Sequence, residues 1–293
     1  MKIIIYLFFL LFVLLVSVIP FWLIYRLSDL LFFVFYYLIG YRKKVVYQNL
    51  KNSFTEKSEE EIRLIAKDFY RNLCDILVEG LKGFGISKAS VVKRYKLLNP
   101  EILNAYYNKG LSMIGVTAHY CNWEWGTLAG GLQVRSKVIT FFMPLSNQYI
   151  DMFLKKSREA CGTTLEAAHK ASRVFENNKN NPVIYLMVAD QSPSNYNKVY
   201  WLNFLNQETA CMPGVERYAK HYNIPVFFID IKRIKRGYYE FSVKIITENP
   251  NDFKDGELTV KYMKLIEEKI KKDPANWLWS HRRWKKKKSE LVI

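Results

Sequence analysis

Apolar residues along this chain recur in two rhythms. Between Glu59 and Lys82 the positions Ile62, Ile65, Ala66, Phe69, Leu73, Ile76 and Leu77 return at helical spacing, which predicts a helix with one buried face. Ser58 with Glu61 three places on is a capping-box signature for its start. Further on, short apolar runs alternate with amphipathic ones. Strands are expected at Tyr95 to Leu98, Leu111 to Val116, Val138 to Phe142, Val183 to Val188, Val226 to Ile231 and Tyr239 to Ile246. Helices are expected at Pro100 to Asn108, Asn122 to Gly130, Asn147 to Ala160, Lys170 to Asn177, Gly214 to Tyr222 and Gly256 to Lys271. Strands and helices that alternate over short connections predict an α/β fold, a mixed sheet layered by helices.

The N-terminus breaks this pattern. Residues 3–25 carry no charge and are long enough to serve as an N-terminal transmembrane helix, since a crossing takes about 20 residues for a hydrocarbon core of about 30 Å. A cleaved signal peptide would have a shorter apolar region and small residues at a cleavage site, and neither is seen. The next apolar run, Leu30 to Gly40, is too short to span alone and is expected in the interface or packed on the folded part. The expected division is an anchor and interfacial segment over 1–45 and one domain over 46–293. Arg42, Lys43 and Lys44 follow the apolar runs, so the positive-inside rule puts the domain on the cytoplasmic side.

Composition sharpens this only slightly. Half the residues are hydrophobic, which excludes general disorder, and 44 Lys plus Arg against 27 Asp plus Glu favours anionic partners: nucleic acid, anionic lipid or an acidic carrier protein. No helix-turn-helix, RNP or zinc signature argues for nucleic acid, and none is expected as a partner. Cys74, Cys121, Cys161 and Cys211 form no CxxC pair, so reduced thiols are expected. His119, His169, His221 and His281 are scattered without metal-ligand spacing; no metal and no cofactor is expected. The run Arg282 to Lys288 reads either as a solvated tail or as a basic contact with a membrane or an acidic carrier, with Trp284 suited to an interfacial depth.

Candidate chemistry gathers at strand ends, where open α/β sheets place ligands. Val116 leads to His119 and Glu124, and a histidine with a carboxylate on its other nitrogen can take a proton from a hydroxyl near neutral pH. Val188 leads to Asp190 and Gln191. Asn122 and Asp151 read equally as helix caps. Arg158 is the candidate for an anionic group, because guanidinium meets phosphate through two hydrogen bonds; a surface ion pair with Glu159 or Asp151 is the plainer alternative. Cys121 sits beside His119, but neighbours on an extended chain point to opposite faces, so a Cys–His nucleophile is not expected.

Several segments together resemble a known family: HYCNWEWG (119–126), MPLSNQYIDMFLKKSREACG (143–162), ADQSP (189–193), WLNFLNQETACMPGVERYAKHYNIPVF (201–227) and WLWSHRRWK (277–285). They are similar to the lipid A biosynthesis acyltransferases, the late acyltransferases of bacterial lipopolysaccharide synthesis, within the wider lysophospholipid acyltransferase superfamily. The resemblance spans nearly the whole chain and implies a glycerolipid acyltransferase-like fold in the bacterial inner membrane. It also implies an HX4E motif in which His119 deprotonates an acceptor hydroxyl and Glu124 holds the imidazole. The donor implied is a fatty acyl thioester of acyl carrier protein and the acceptor a lipid A precursor. Asn122, Arg158, Asp190 and Gln191 are the substrate-binding candidates. A different lipid acceptor, a lysophospholipid or glycolipid, with acyl-CoA as donor, would use the same catalytic residues.

Overall fold

Pro20 decides how the N-terminus folds. In a computed structural model of the chain, which describes residues 2–290, helix α1 (Lys2–Val18) stops short of it and α2 (Phe21–Phe33) starts after it, with Pro20 in an extended conformation as its cap. The residue before a proline is pushed out of helical space, so the single helix expected over residues 3–25 becomes two. A π-helical turn, Val34–Leu38, prolongs α2, and Phe21–Leu38 is now the stretch long and apolar enough to cross a membrane. The run from Leu30, expected to lie apart from the anchor, is therefore part of that helix. Both helices also dock on the rest of the protein. Lys82 donates to the Val16, Ser17 and Ile19 carbonyls, the groups that the break at Pro20 leaves without helical partners. Ser28 donates to Asp75 at 2.6 Å, and Arg236 bridges Asp29 and Asp75.

Next come α3 (Lys43–Ser53) and α4 (Glu59–Lys82). The capping box forms at α4: Ser58 N donates to Glu61 Oε2 at 2.8 Å while Glu61 N donates to Ser58 Oγ. Ile62, Ala66, Phe69, Leu73 and Ile76 are buried, the four larger side chains each worth roughly 1.5–3 kcal/mol relative to exposure. Leu77, expected on that face, is 42% exposed. The second half of α4 lies between α2 and the helix that follows the His119 loop, so its buried arc moves round to Asp75, Val78 and Glu79.

The chain then runs through α5 (Lys88–Arg94), β1 (Tyr95–Leu97), α6 (Pro100–Asn108), β2 (Met113–Thr117), α7 (Trp123–Gln133) and β3 (Lys137–Phe142). It continues with α8 (Gln148–Glu159), β4 (Thr163–Ala167), α9 (Ala171–Asn177), β5 (Val183–Val188), β6 (Tyr200–Phe204) and β7 (Gln207–Cys211). Last come α10 (Gly214–Tyr222), β8 (Val226–Lys235), β9 (Tyr238–Thr247) and α11 (Glu257–Lys272). Seven strands form one mixed sheet in the order β1-β9-β8-β2-β5-β3-β4, parallel except for the β8–β9 hairpin. The expected α/β class, a mixed sheet layered by helices with an apolar N-terminal helix, holds.

Three strands lie outside the sequence expectation. β4, with the sequence Thr-Thr-Leu-Glu-Ala, is an edge strand with little apolar signal. β6 and β7 form a separate hairpin whose turn, Leu205 and Asn206, has positive φ at both residues, as a type I′ turn requires. The C-terminal run docks here. Arg283 is buried and donates to the Ala210 carbonyl at 2.8 Å, and Trp284 Nε1 donates to Thr209 Oγ1 at 2.7 Å, so these two belong to the fold and not to a free tail. Arg282 and Lys285 to Lys288 stay exposed.

For the site, the central rungs matter most. β2 and β5 run parallel with Thr117 opposite Val188, and Ala189 N donates to the Thr117 carbonyl at 3.0 Å, which extends the ladder one step further.

Candidate active site

Two residues past that rung, on each strand, stand His119 and Asp190. His119 Nδ1 lies 2.8 Å from Asp190 Oδ1, and His119 N donates to Asp190 Oδ2 at 2.9 Å. Trp277 Nε1 donates to the same oxygen at 2.8 Å. The Asp190 side chain is 2% exposed and the His119 side chain 21%. Burial raises the Asp190 pKa, but His119, as charge and donor, and Trp277 outweigh it and hold the carboxyl below its ordinary value. An ionised carboxylate only accepts, so Nδ1 carries the ring proton and Nε2 keeps its lone pair. The Gln191 side-chain amide lies 3.1 Å from that nitrogen. Burial lowers the pKa of His119, yet the charge and hydrogen bond of Asp190, with the charge of Glu124, leave it raised overall.

His281, from the far end of the chain, has the opposite fate. Burial and nearby cations push it down to about 4, and its neutral ring accepts Ser192 N–H at 3.1 Å. Two imidazoles near one carboxylate thus take different jobs: one can gain a proton, and the other serves as a fixed acceptor that holds the loop after Asp190.

The loop between His119 and α7 is pinned from the C-terminal segment. Tyr120 forms a bridge with Trp277, and Cys121, at φ 54°, donates its N–H to the Asn276 carbonyl at 2.9 Å. The Cys121 thiol is buried, and desolvation drives its pKa far up, so a thiolate there is disfavoured. Asn122 is the N-cap of α7. Its Oδ1 accepts from Trp125 N at 2.8 Å and its amide donates to Glu79 at 2.7 Å, so a side chain expected to bind substrate is buried and spent on structure. Glu79 also accepts from Tyr239 at 2.7 Å and from Tyr25 at 2.9 Å, which locks α4, α7, α2 and β9 around one carboxyl group.

Glu124, expected on the imidazole, pairs instead with Arg158 of α8. The far end of α7 also packs tightly here: a Cβ at Gly131 would come within 2.5 Å of the Cys161 carbonyl oxygen, so only glycine lets α7 approach the turn after α8 this closely. The Arg158 side chain is 12% exposed, against 40% for Glu124, and pairs with neither Glu159 nor Asp151; Asp151 accepts from Leu145 N at 2.9 Å. Of the residues singled out from sequence, the structure joins His119 with Asp190 and Gln191, and Glu124 with Arg158. Trp277 and His281 escaped because no local spacing marks them; only the tryptophan-rich segment they share with the resemblance pointed to that region. Among the described residues, no group of His, Cys, Asp or Glu is arranged to hold a metal ion.

A sequence model for the bacterial lipid A biosynthesis acyltransferases matches residues 1–286, and the chain belongs to that family. No curated protein matches it.

Proposed function

We propose that this acyltransferase moves a fatty acyl chain from acyl carrier protein to a hydroxyl of a lipid A precursor, with His119 as general base. The observation that carries the reading is the pairing of His119 with the buried Asp190 at adjacent strand ends, with Nε2 turned to a polar partner and not to the core. Nε2 takes the hydroxyl proton as the acceptor oxygen attacks the thioester carbonyl. The imidazolium that forms is stabilised by Asp190 and by the charge of Glu124. The tetrahedral oxyanion collapses, the carrier thiolate leaves, and the imidazolium returns the proton to it. Assistance of this kind is worth typically about 10²–10⁴-fold. Backbone N–H groups at the start of α7 supply donors for the oxyanion. Gln191 holds the place beside Nε2 that the acceptor hydroxyl takes, and Arg158, oriented by Glu124, binds an anionic group of substrate.

A net charge of +17 suits an acidic carrier and a phosphate-bearing lipid alike. Residues 1–45 serve as the membrane anchor, with 46–293 as the acyltransferase domain on the cytoplasmic face of the inner membrane.

The test is acyl transfer by the purified protein in detergent, followed by mass spectrometry. Wild type and His119→Ala each receive acyl carrier protein thioesters with a lipid A precursor, and separately with lysophospholipid. One acyl chain added to the precursor by wild type alone is the expected result. Transfer only to lysophospholipid would move the enzyme to another pathway, and turnover by His119→Ala would remove the mechanism.

A further inference from the structure

Arg42, Lys43 and Lys44 lie just after the apolar N-terminus and Arg282 lies near the C-terminus, yet all four line one open groove of about 690 Å³ together with Tyr47. That size is ordinary for a ligand site. The groove is built and not incidental. Arg42 Nη1 donates to the Ser280 carbonyl at 3.0 Å, which ties the two ends of the chain together across it. Lys43 Nζ donates to the Tyr36 carbonyl at 3.1 Å and sits 4.0 Å from the centre of the Tyr36 ring. Lys44 and Arg282 are exposed. Among the described residues, none of the four cations forms an ion pair with a carboxylate. Four cations without carboxylate partners around one open hollow give it a positive potential that attracts an anion. The first turn of α3, which also opens here, has no capping side chain and adds the positive end of its dipole.

The surroundings select the kind of anion. Leu38 and Ile39 are each 66% exposed and Tyr37 53%, and they end the helix long enough to cross a membrane. An apolar rim beside the groove suits it to the depth of lipid headgroups, where each nearby basic residue adds about 1 kcal/mol of attraction to an anionic surface. We propose that this groove seats the phosphate headgroup of an anionic membrane phospholipid, apart from the acceptor site. The proposal rests on Phe21–Leu38 lying in the membrane and not on the acyl-transfer assignment, because its test needs no turnover.

The experiment is native mass spectrometry of the full chain released from detergent micelles doped equally with phosphatidylglycerol and phosphatidylcholine. Wild type is expected to retain phosphatidylglycerol preferentially. Lys44→Gln/Arg282→Gln should weaken that preference on the order of tenfold, following the contribution of each surface cation. Lys254→Gln/Lys264→Gln, which removes the same charge from exposed positions on another face, should keep it. Equal retention of the two lipids by wild type, or equal loss in both double variants, would overturn the proposal. So would unchanged phosphatidylglycerol preference in Lys44→Gln/Arg282→Gln, since the groove cations would then have no part in holding the lipid.

Discussion

Asp190, 71 residues further along the chain, holds the imidazole of His119 at 2.8 Å, while Glu124 in the adjoining helix turns away to Arg158. The two carboxylates therefore divide the work. Asp190 fixes tautomer and orientation; Glu124 orients a guanidinium and acts on the imidazole only through its charge.

The division predicts different responses to amide substitution. Asp190→Asn should cost at least about 10²-fold in kcat, because the imidazolium loses its counter-charge in a buried site. Glu124→Gln and Arg158→Gln should be non-additive in a double-mutant cycle, with a coupling of about 0.5–3 kcal/mol in kcat/KM. Strict additivity would mean that the ion pair has no part in turnover.

The pH profile follows from the raised His119 pKa. A general base works as the neutral ring, so the acid limb of kcat/KM should fall above the ordinary imidazole value of 6.5, and Asp190→Asn should move it to lower pH while lowering the plateau. An acid limb that stays in place in Asp190→Asn would show that another group controls it.

Stability should follow the same pair. The raised pKa of His119 gives stability that is complete below its unfolded value of 6.5 and lost as pH rises through the folded value. The lowered pKa of Asp190 gives stability that is complete above its unfolded value of 3.8 and lost as pH falls through the folded value. The stability gap between wild type and Asp190→Asn should therefore be widest between these two unfolded values and narrow on either side. Denaturant midpoints measured across pH would check it, and a flat difference would contradict it.

Cys121 should be dispensable for chemistry. Its thiol is buried and its pKa raised, so iodoacetamide should leave activity intact, and Cys121→Ser should keep kcat within a few-fold. Rapid inactivation by the reagent, with protection by acyl donor, would restore a covalent mechanism.

Lys82 should matter to the N-terminal helices. Lys82→Met leaves the carbonyls of Val16, Ser17 and Ile19 without their donor, a loss of about 1–3 kcal/mol. Hydrogen exchange of the full chain in detergent should show faster exchange in α1, with little change in β2 and β5.

Most of the central sheet was legible because parallel strands buried on both faces read as short apolar runs, and β5, expected at Val183 to Val188, matches to the residue. β4 and the β6–β7 hairpin were not, since an edge strand carries little apolar pattern and the hairpin turns on Leu205 and Asn206 without a glycine. Pro20 was visible but outweighed by the uncharged run around it. At the site, His119 and Asp190 each stood out as polar residues at strand ends. Their partnership did not, because it depends on β2 and β5 lying side by side although β3 and β4 come between them in the chain. The role of Trp277 depends on the Tyr120 bridge, a contact between distant segments that no spacing records.

The parallel rung of Thr117 and Val188 has a consequence for how this chain can evolve. His119 and Asp190 each stand two steps beyond it, so their meeting depends on equal overhangs and not on the length of chain between them. The loops between α7 and α9 can gain or lose residues without parting them, provided β3 keeps its place beside β5. One residue inserted at Ala118 or at Ala189 would turn a single partner to the opposite side of its strand and silence the enzyme in an otherwise intact fold.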